Sequence, residues 1–173
     1  MAAGKSGGFG MEQRVVQVFY GQGKGKTSAA VGQCIRAASL GQRVIIIQFL
    51  KGKDAEEFNF LERLEPDIKL FRFEKSQGFY KELSASEQKE EKQNIRNGFN
   101  FAKKVIDTGE CDVLVLDEVL GLIDLDIISE EEILQLVSFK EDYSRLVLTG
   151  WELPAAIADQ ADIISRIDLE KDC

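Results

Sequence analysis

From Tyr20 to Ser28 the chain reads Tyr-Gly-Gln-Gly-Lys-Gly-Lys-Thr-Ser, with Gly21, Gly23 and Gly25 interleaved with Lys24 and Lys26. Glycines let a backbone turn so that successive N–H groups converge on an anion. A lysine adds a point charge, and a threonine hydroxyl at a helix start is placed to ligate Mg²⁺. Together these residue types make a phosphate-binding loop. The general pattern Gly-x-x-x-x-Gly-Lys-Ser/Thr is met by Gly25, Lys26 and Thr27, but Tyr20 holds its first glycine position and Gly21 follows one residue late. Such a loop needs an acidic partner at the end of another strand. "VLVLDE" supplies one, an apolar run that leads into Asp117 and Glu118.

The elements around these residues set them in space. Val15–Tyr20 is a β-rich run, 21–25 a loop, and Lys26–Leu40 a helix closed by Gly41. "VIIIQF" at 44–49 is the continuous β-branched run of a parallel strand buried on both faces. A helical stretch is expected at 55–64 and a strand with one wetter face at 68–73. Ser84 with Glu87 has capping-box spacing and opens a long polar helix to about Asp107. The strand at 113–116 follows, then a helix capped by Ser129 and Glu132. A strand at 145–149, a short helix from Pro154 to Gln160 and a last strand at 163–167 complete the series. Strands alternate with helices throughout, the signature of βαβ units in a largely parallel sheet with both faces covered.

Composition narrows the chemistry. The 173 residues carry a net charge of −8 and no histidine, with cysteines only at 34, 111 and 173. An acidic chain lacks the dense basic surface of a nucleic-acid binder. Without histidine, a CxxC pair or a disulfide framework, zinc sites and Ser-His or Cys-His catalysis are excluded, and a reducing cytoplasm is expected. No apolar run reaches membrane-spanning length. Residues 1–13 read as a flexible leader, and residues 14–173 as one domain. Gly4-Lys5-Ser6 in the leader imitates a phosphate loop, but no strand precedes it.

Four segments in order, "GQGKGKTSAA", "VIIIQFLKG", "VLVLDEV" and "LVLTG", resemble the corrinoid adenosyltransferases of the CobA/BtuR/CobO type from about Val15 to Ile167. The late Gly21 that spoils the general pattern is the form this family shows. The resemblance implies an α/β fold: a single P-loop NTPase-like, RecA-like domain, a mostly parallel sheet of about six strands with helices on both faces. It also implies a reaction in which Co(I) of a reduced corrinoid attacks the 5′-carbon of MgATP and tripolyphosphate leaves. Lys26, Thr27 and Glu118 fall in the catalytic set. Gly21, Gln22, Gly23, Lys24, Gly25, Lys26, Thr27 and Ser28 match the triphosphate site, and Thr27 with Glu118 and Asp117 the Mg²⁺ site. Phe79 matches a phenylalanine that faces the corrinoid. A flavoprotein reductant and a homodimer are the implied partners.

Some residues depart from the family pattern. Its Gly-Phe-x-Trp loop is "GFYK" here, with Lys81 at the tryptophan position. Its Thr-Gly-Arg is Thr149-Gly150-Trp151, and Trp151 either stacks on a ring or covers the sheet edge. The family's Lys-His stretch past the last strand has no counterpart before Cys173. Phe79 as a core residue, and "LGLIDLDII" at a dimer contact or a corrinoid cleft, stay open. Glu56 and Glu57 stand near enough in sequence to approach a nucleotide. Two other functions remain compatible: a nucleotide- and corrinoid-binding sensor or carrier that does no chemistry, and an unrelated phosphate-loop ATPase.

Overall fold

A computed structural model describes residues 14–50, 53–139 and 144–172, with side chains left out at 53–58. The strands are β1 (Val15–Tyr20), β2 (Val44–Gln48), β3 (Ile68–Arg72), β4 (Val113–Asp117), β5 (Arg145–Gly150) and β6 (Ile163–Arg166). The helices are α1 (Lys26–Ser39), α2 (Ala85–Asp107), α3 (Gly121–Asp124), α4 (Glu130–Ser138) and α5 (Ala155–Gln160). All six strands form one parallel sheet in the order β3-β2-β4-β5-β1-β6.

The β-branched runs dictate this sheet. In β2 every residue is buried, and its side chains alternate between two cores. Val44 and Ile46 pack with Ala30, Cys34 and Ala37 of α1. Ile45 and Ile47 pack on the opposite face with Ile95, Phe99 and Ala102 of α2 and Ile133 and Leu136 of α4. Each fully buried Ile or Leu contributes on the order of 1.5–3 kcal/mol, so both helical layers are held by the sheet itself.

Most expected elements lie where the sequence puts them, with three differences. The helical stretch after β2 is a 3-10 helix, Lys53–Leu64. Pro154 is the N-cap of α5, one position before the first helical residue. "LGLIDLDII" contains the short α3, and Val119, Leu120, Leu122, Ile127 and Ile128 are buried in the chain's own core. Both capping boxes form, at Ser84–Glu87 and Ser129–Glu132. The leader with its Gly4-Lys5-Ser6, and the side chains of Glu56 and Glu57, lie outside the described residues.

A candidate nucleotide site at the carboxyl edge of the sheet

β5 separates β1 from β4, so the glycine loop and Asp117 emerge two strands apart at the same edge. In open α/β sheets ligands bind at this edge. Gly21 has φ of +121° and Gly25 has φ of +102°, a region only glycine enters freely. A Cβ at Gly21 would lie 2.3 Å from the Ile167 carbonyl oxygen, and one at Gly23 2.7 Å from it. The Gly21 N–H donates to the carbonyls of Gly150 and Trp151, and the Gly23 N–H to that of Ile167. Two of the three loop glycines therefore let the chain after β6 lie against the loop, and their amides point at protein rather than outward. Gly25 turns the chain into α1, whose first turn has no side-chain cap. An uncapped helix start is a ready anion site.

Lys26 is 7% exposed. Its Nζ donates to the Gly23 carbonyl at 2.9 Å and lies 5.2 Å from the centre of the Trp151 ring. Trp151 itself is exposed. Trp151 thus covers the loop lysine. Lys24 points to the surface and pairs with Asp172 at 3.1 Å. Gln22 and Ser28 are exposed beside it.

The acidic partner is Asp117, fully buried at the end of β4. The Thr27 hydroxyl donates to its carboxylate, 3.0 Å from Oδ1 and 3.1 Å from Oδ2. The Thr149 hydroxyl also donates to Oδ1, at 2.8 Å, and accepts the Glu118 N–H at 2.7 Å. The Gln48 side-chain amide donates to Oδ2 at 3.3 Å. Arg72 Nε donates in turn to Gln48 Oε1 at 2.8 Å. Glu118 follows with φ of +61°, a left-handed conformation rare outside glycine, which redirects the chain at the sheet edge.

The ATP:corrinoid adenosyltransferase family, BtuR/CobO/CobP, matches residues 12–173. The chain belongs to this family. It is 28% identical over 157 residues to the corrinoid adenosyltransferase of Escherichia coli K12, spanning 90% of this chain and 77% of that one. The Salmonella typhimurium LT2 enzyme of the same name matches with the same identity and coverage. A Pseudomonas aeruginosa corrinoid adenosyltransferase is 24% identical over 161 residues, 92% of this chain and 77% of that one. Among solved structures, a KaiC-like protein of Pyrococcus horikoshii superposes with a TM-score of 0.57 at 17% identity, covering 91% of this chain and 74% of that one. That likeness establishes the P-loop NTPase-like fold.

Against this adenosyltransferase family, the described site falls into two parts. Thr27 at the end of the loop meets Asp117, and the Glu118 backbone is held beside them through Thr149. Phe79 comes from another part of the sheet edge: it follows β3, which lies two strands from β4 and four from β1. It is 59% exposed, so it is not a core residue. Gln48 and Thr149 bind Asp117 directly, yet the motif reading gave them no role. Their signal was a polar residue inside an otherwise apolar strand run, "VIIIQF" and "LVLTG". Among the described residues no cluster of three His, Cys, Asp or Glu could hold a metal ion. What the site does offer a hard cation is oxygen chemistry, from the Thr27 hydroxyl and the Asp117 carboxylate, with Glu118 next in sequence. Cys34 and Cys111 are buried free thiols, each pushed up to about 12 by burial, and so inert as nucleophiles. No helix among the described residues is long and apolar enough to cross a membrane.

Proposed function

We propose that this chain transfers the 5′-deoxyadenosyl group of ATP to Co(I) of a corrinoid, with tripolyphosphate as leaving group. In that displacement the cobalt electron pair becomes the Co–C bond as the C5′–O bond breaks, and the bonding pair of that C–O bond departs on the phosphate oxygen. No proton moves, which suits a chain without histidine. The protein's task is then to align the reactants and stabilise the leaving charge. The Thr27–Asp117 hydrogen bond beside the glycine loop, in a chain that belongs to this family, carries the reading.

In this proposal residues 21–28 form the triphosphate loop: the Gly21 and Gly23 amides brace it against the protein, and the uncapped start of α1 and the Lys26 ammonium stabilise the negative charge of the phosphates. Thr27, Asp117 and Glu118 would hold Mg²⁺, which, when bound, neutralises phosphate oxygens. Binding ATP requires the Lys26 amine to exchange the Gly23 carbonyl for phosphate. Residues 14–173 act as one nucleotide-binding domain. Phe79 meets the corrinoid. A flavoprotein reductant, a homodimer and a cytoplasmic setting belong to the same proposal.

A second reading is supported by Trp151. Where an arginine could contact phosphate, an indole lies against Lys26 instead. A binding protein that holds ATP and corrinoid without turnover would tolerate that exchange. Mixing the protein anaerobically with MgATP and chemically reduced cobalamin decides between them. The light-sensitive adenosyl product together with tripolyphosphate is the expected result. ATP bound with no Co–C bond made would establish the binding protein, and ADP formed without corrinoid would make it an ATPase.

A further inference from the structure

The segment after β3 is anchored more strongly than a surface loop requires. Glu91 of α2 is 5% exposed. Its carboxylate accepts the backbone N–H of Lys75 at 2.8 Å and of Ser76 at 2.6 Å, and the Asn94 side-chain amide at 3.0 Å. One turn earlier on the same helix, the Gln88 side-chain amide donates to the Tyr80 carbonyl at 3.1 Å and the Gln88 backbone carbonyl accepts the Tyr80 hydroxyl at 3.4 Å. Residues three apart share a helix face. The Glu74 carboxylate also accepts the N–H of Leu50, which ties the start of the segment to the end of β2. Upstream and downstream of Phe79 the backbone is therefore clamped to α2. The Phe79 side chain between the clamps is exposed.

Burying a carboxylate is costly unless several hydrogen bonds compensate it. Three donors converge on this one buried side chain, two of them consecutive amides of the segment that leads to Phe79. The arrangement makes sense if the direction of one exposed ring matters. We infer that Glu91 is a positioning residue for the corrinoid half of the reaction: its carboxylate chelates the Lys75 and Ser76 amides and so aims Phe79 at the corrinoid. This inference rests on the corrinoid-facing reading of Phe79. It assigns Glu91 no contact with either substrate.

The test is a double-mutant cycle on binding, which reports whether or not turnover occurs. Affinity for cob(II)alamin is read by absorbance and for MgATP by calorimetry, in wild type, Glu91→Gln, Phe79→Ala and the double variant. The glutamine keeps the shape but presents an NH₂ to one of the two amides. It is expected to weaken corrinoid binding about tenfold while ATP affinity stays within about twofold. In the Phe79→Ala background it should add nothing further. Asn94→Ala, which leaves the carboxylate in place and removes one donor to it, should shift corrinoid affinity the same way by less. That variant carries the test if Glu91→Gln does not fold. If Phe79→Ala weakens corrinoid binding and Glu91→Gln is silent, additive, or equally damaging to ATP, the positioning role is overturned and the Phe79 reading survives. If Phe79→Ala leaves corrinoid affinity unchanged, both fall.

Discussion

Thr149 has one hydroxyl and uses it twice, donating to Asp117 and accepting from the Glu118 amide. It thereby holds both candidate metal-binding acids in register from the strand between loop and acid. Thr149→Val keeps the volume but strips both bonds from buried groups. A loss of about 1–3 kcal/mol in stability is expected, measured by urea unfolding, together with a higher Mg²⁺ requirement for nucleotide binding. A variant with unchanged Mg²⁺ dependence would show that Asp117 keeps its orientation without this partner. Glu74 sets a second residue-scale expectation. Burial is the main cause that raises its carboxyl from 4.5 to about 7, and Glu91 adds repulsion, while hydrogen bonds from the backbone and the charge of Arg72 oppose it. Because the folded value is the higher one, the protonated carboxyl's stabilisation is complete below about pH 4.5 and lost as pH rises through about 7. Glu74→Gln retains an acceptor for Leu50 and removes the titration. Its stability relative to wild type should climb by about 1–2 kcal/mol between pH 5 and pH 8, discounted for partial solvent contact. A pH-independent difference in melting temperature would refute the assignment.

At the scale of elements, α2 illustrates two opposed effects at one position. Gly98 sits within the helix, where alanine would gain about 1 kcal/mol of propensity. A Cβ there would lie 2.9 Å from the Phe73 ring and 3.1 Å from that of Phe49, and Phe49 is 1% exposed. Overpacking of a filled core costs about 1–3 kcal/mol, so packing outweighs propensity. Gly98→Ala should lower the melting temperature, and a rise would mean that the Phe73 ring swings aside. Elements were also the most legible part of the sequence. Continuous apolar runs marked β2 and β4, because parallel strands buried on both faces leave no polar alternation to blur. Capping boxes marked the starts of α2 and α4, because they are satisfied locally. The 3-10 geometry of 53–64 was not legible, since helical periodicity does not separate it from an α-helix. The short α3 was hidden because four residues, Gly121–Asp124, are too few to show a helical period. Likewise the motifs announced Gly21, Lys26, Thr27 and Asp117, while Gln48 and Thr149 depend on three strands meeting, which no local pattern reports.

For the molecule as a whole, the glycine loop is not supported by its flanking strand and helix alone. β1 is bonded only to β5 and β6, and the chain after β6 lies against Gly21 and Gly23. A chain ending at Gly150 keeps the loop, Thr27 and Asp117 but loses that outer wall. It should show no rise in melting temperature with MgATP, whereas the intact chain should gain about 2–4 kcal/mol at a hundred- to thousandfold excess over Kd. Equal stabilisation of both would show the loop to be self-supporting.

The strand order also has a consequence for how the protein is made. β1 is the first of the described strands to leave the ribosome, and its two neighbours are the last. During synthesis β2, β3 and β4 can pair while β1 waits for partners whose first residue, Arg145, comes 130 positions after Val15. The glycine loop is translated early, but the chain that lies against Gly21 and Gly23 comes last. On the proposed function, a nascent chain is expected to take up ATP only once synthesis has passed β6.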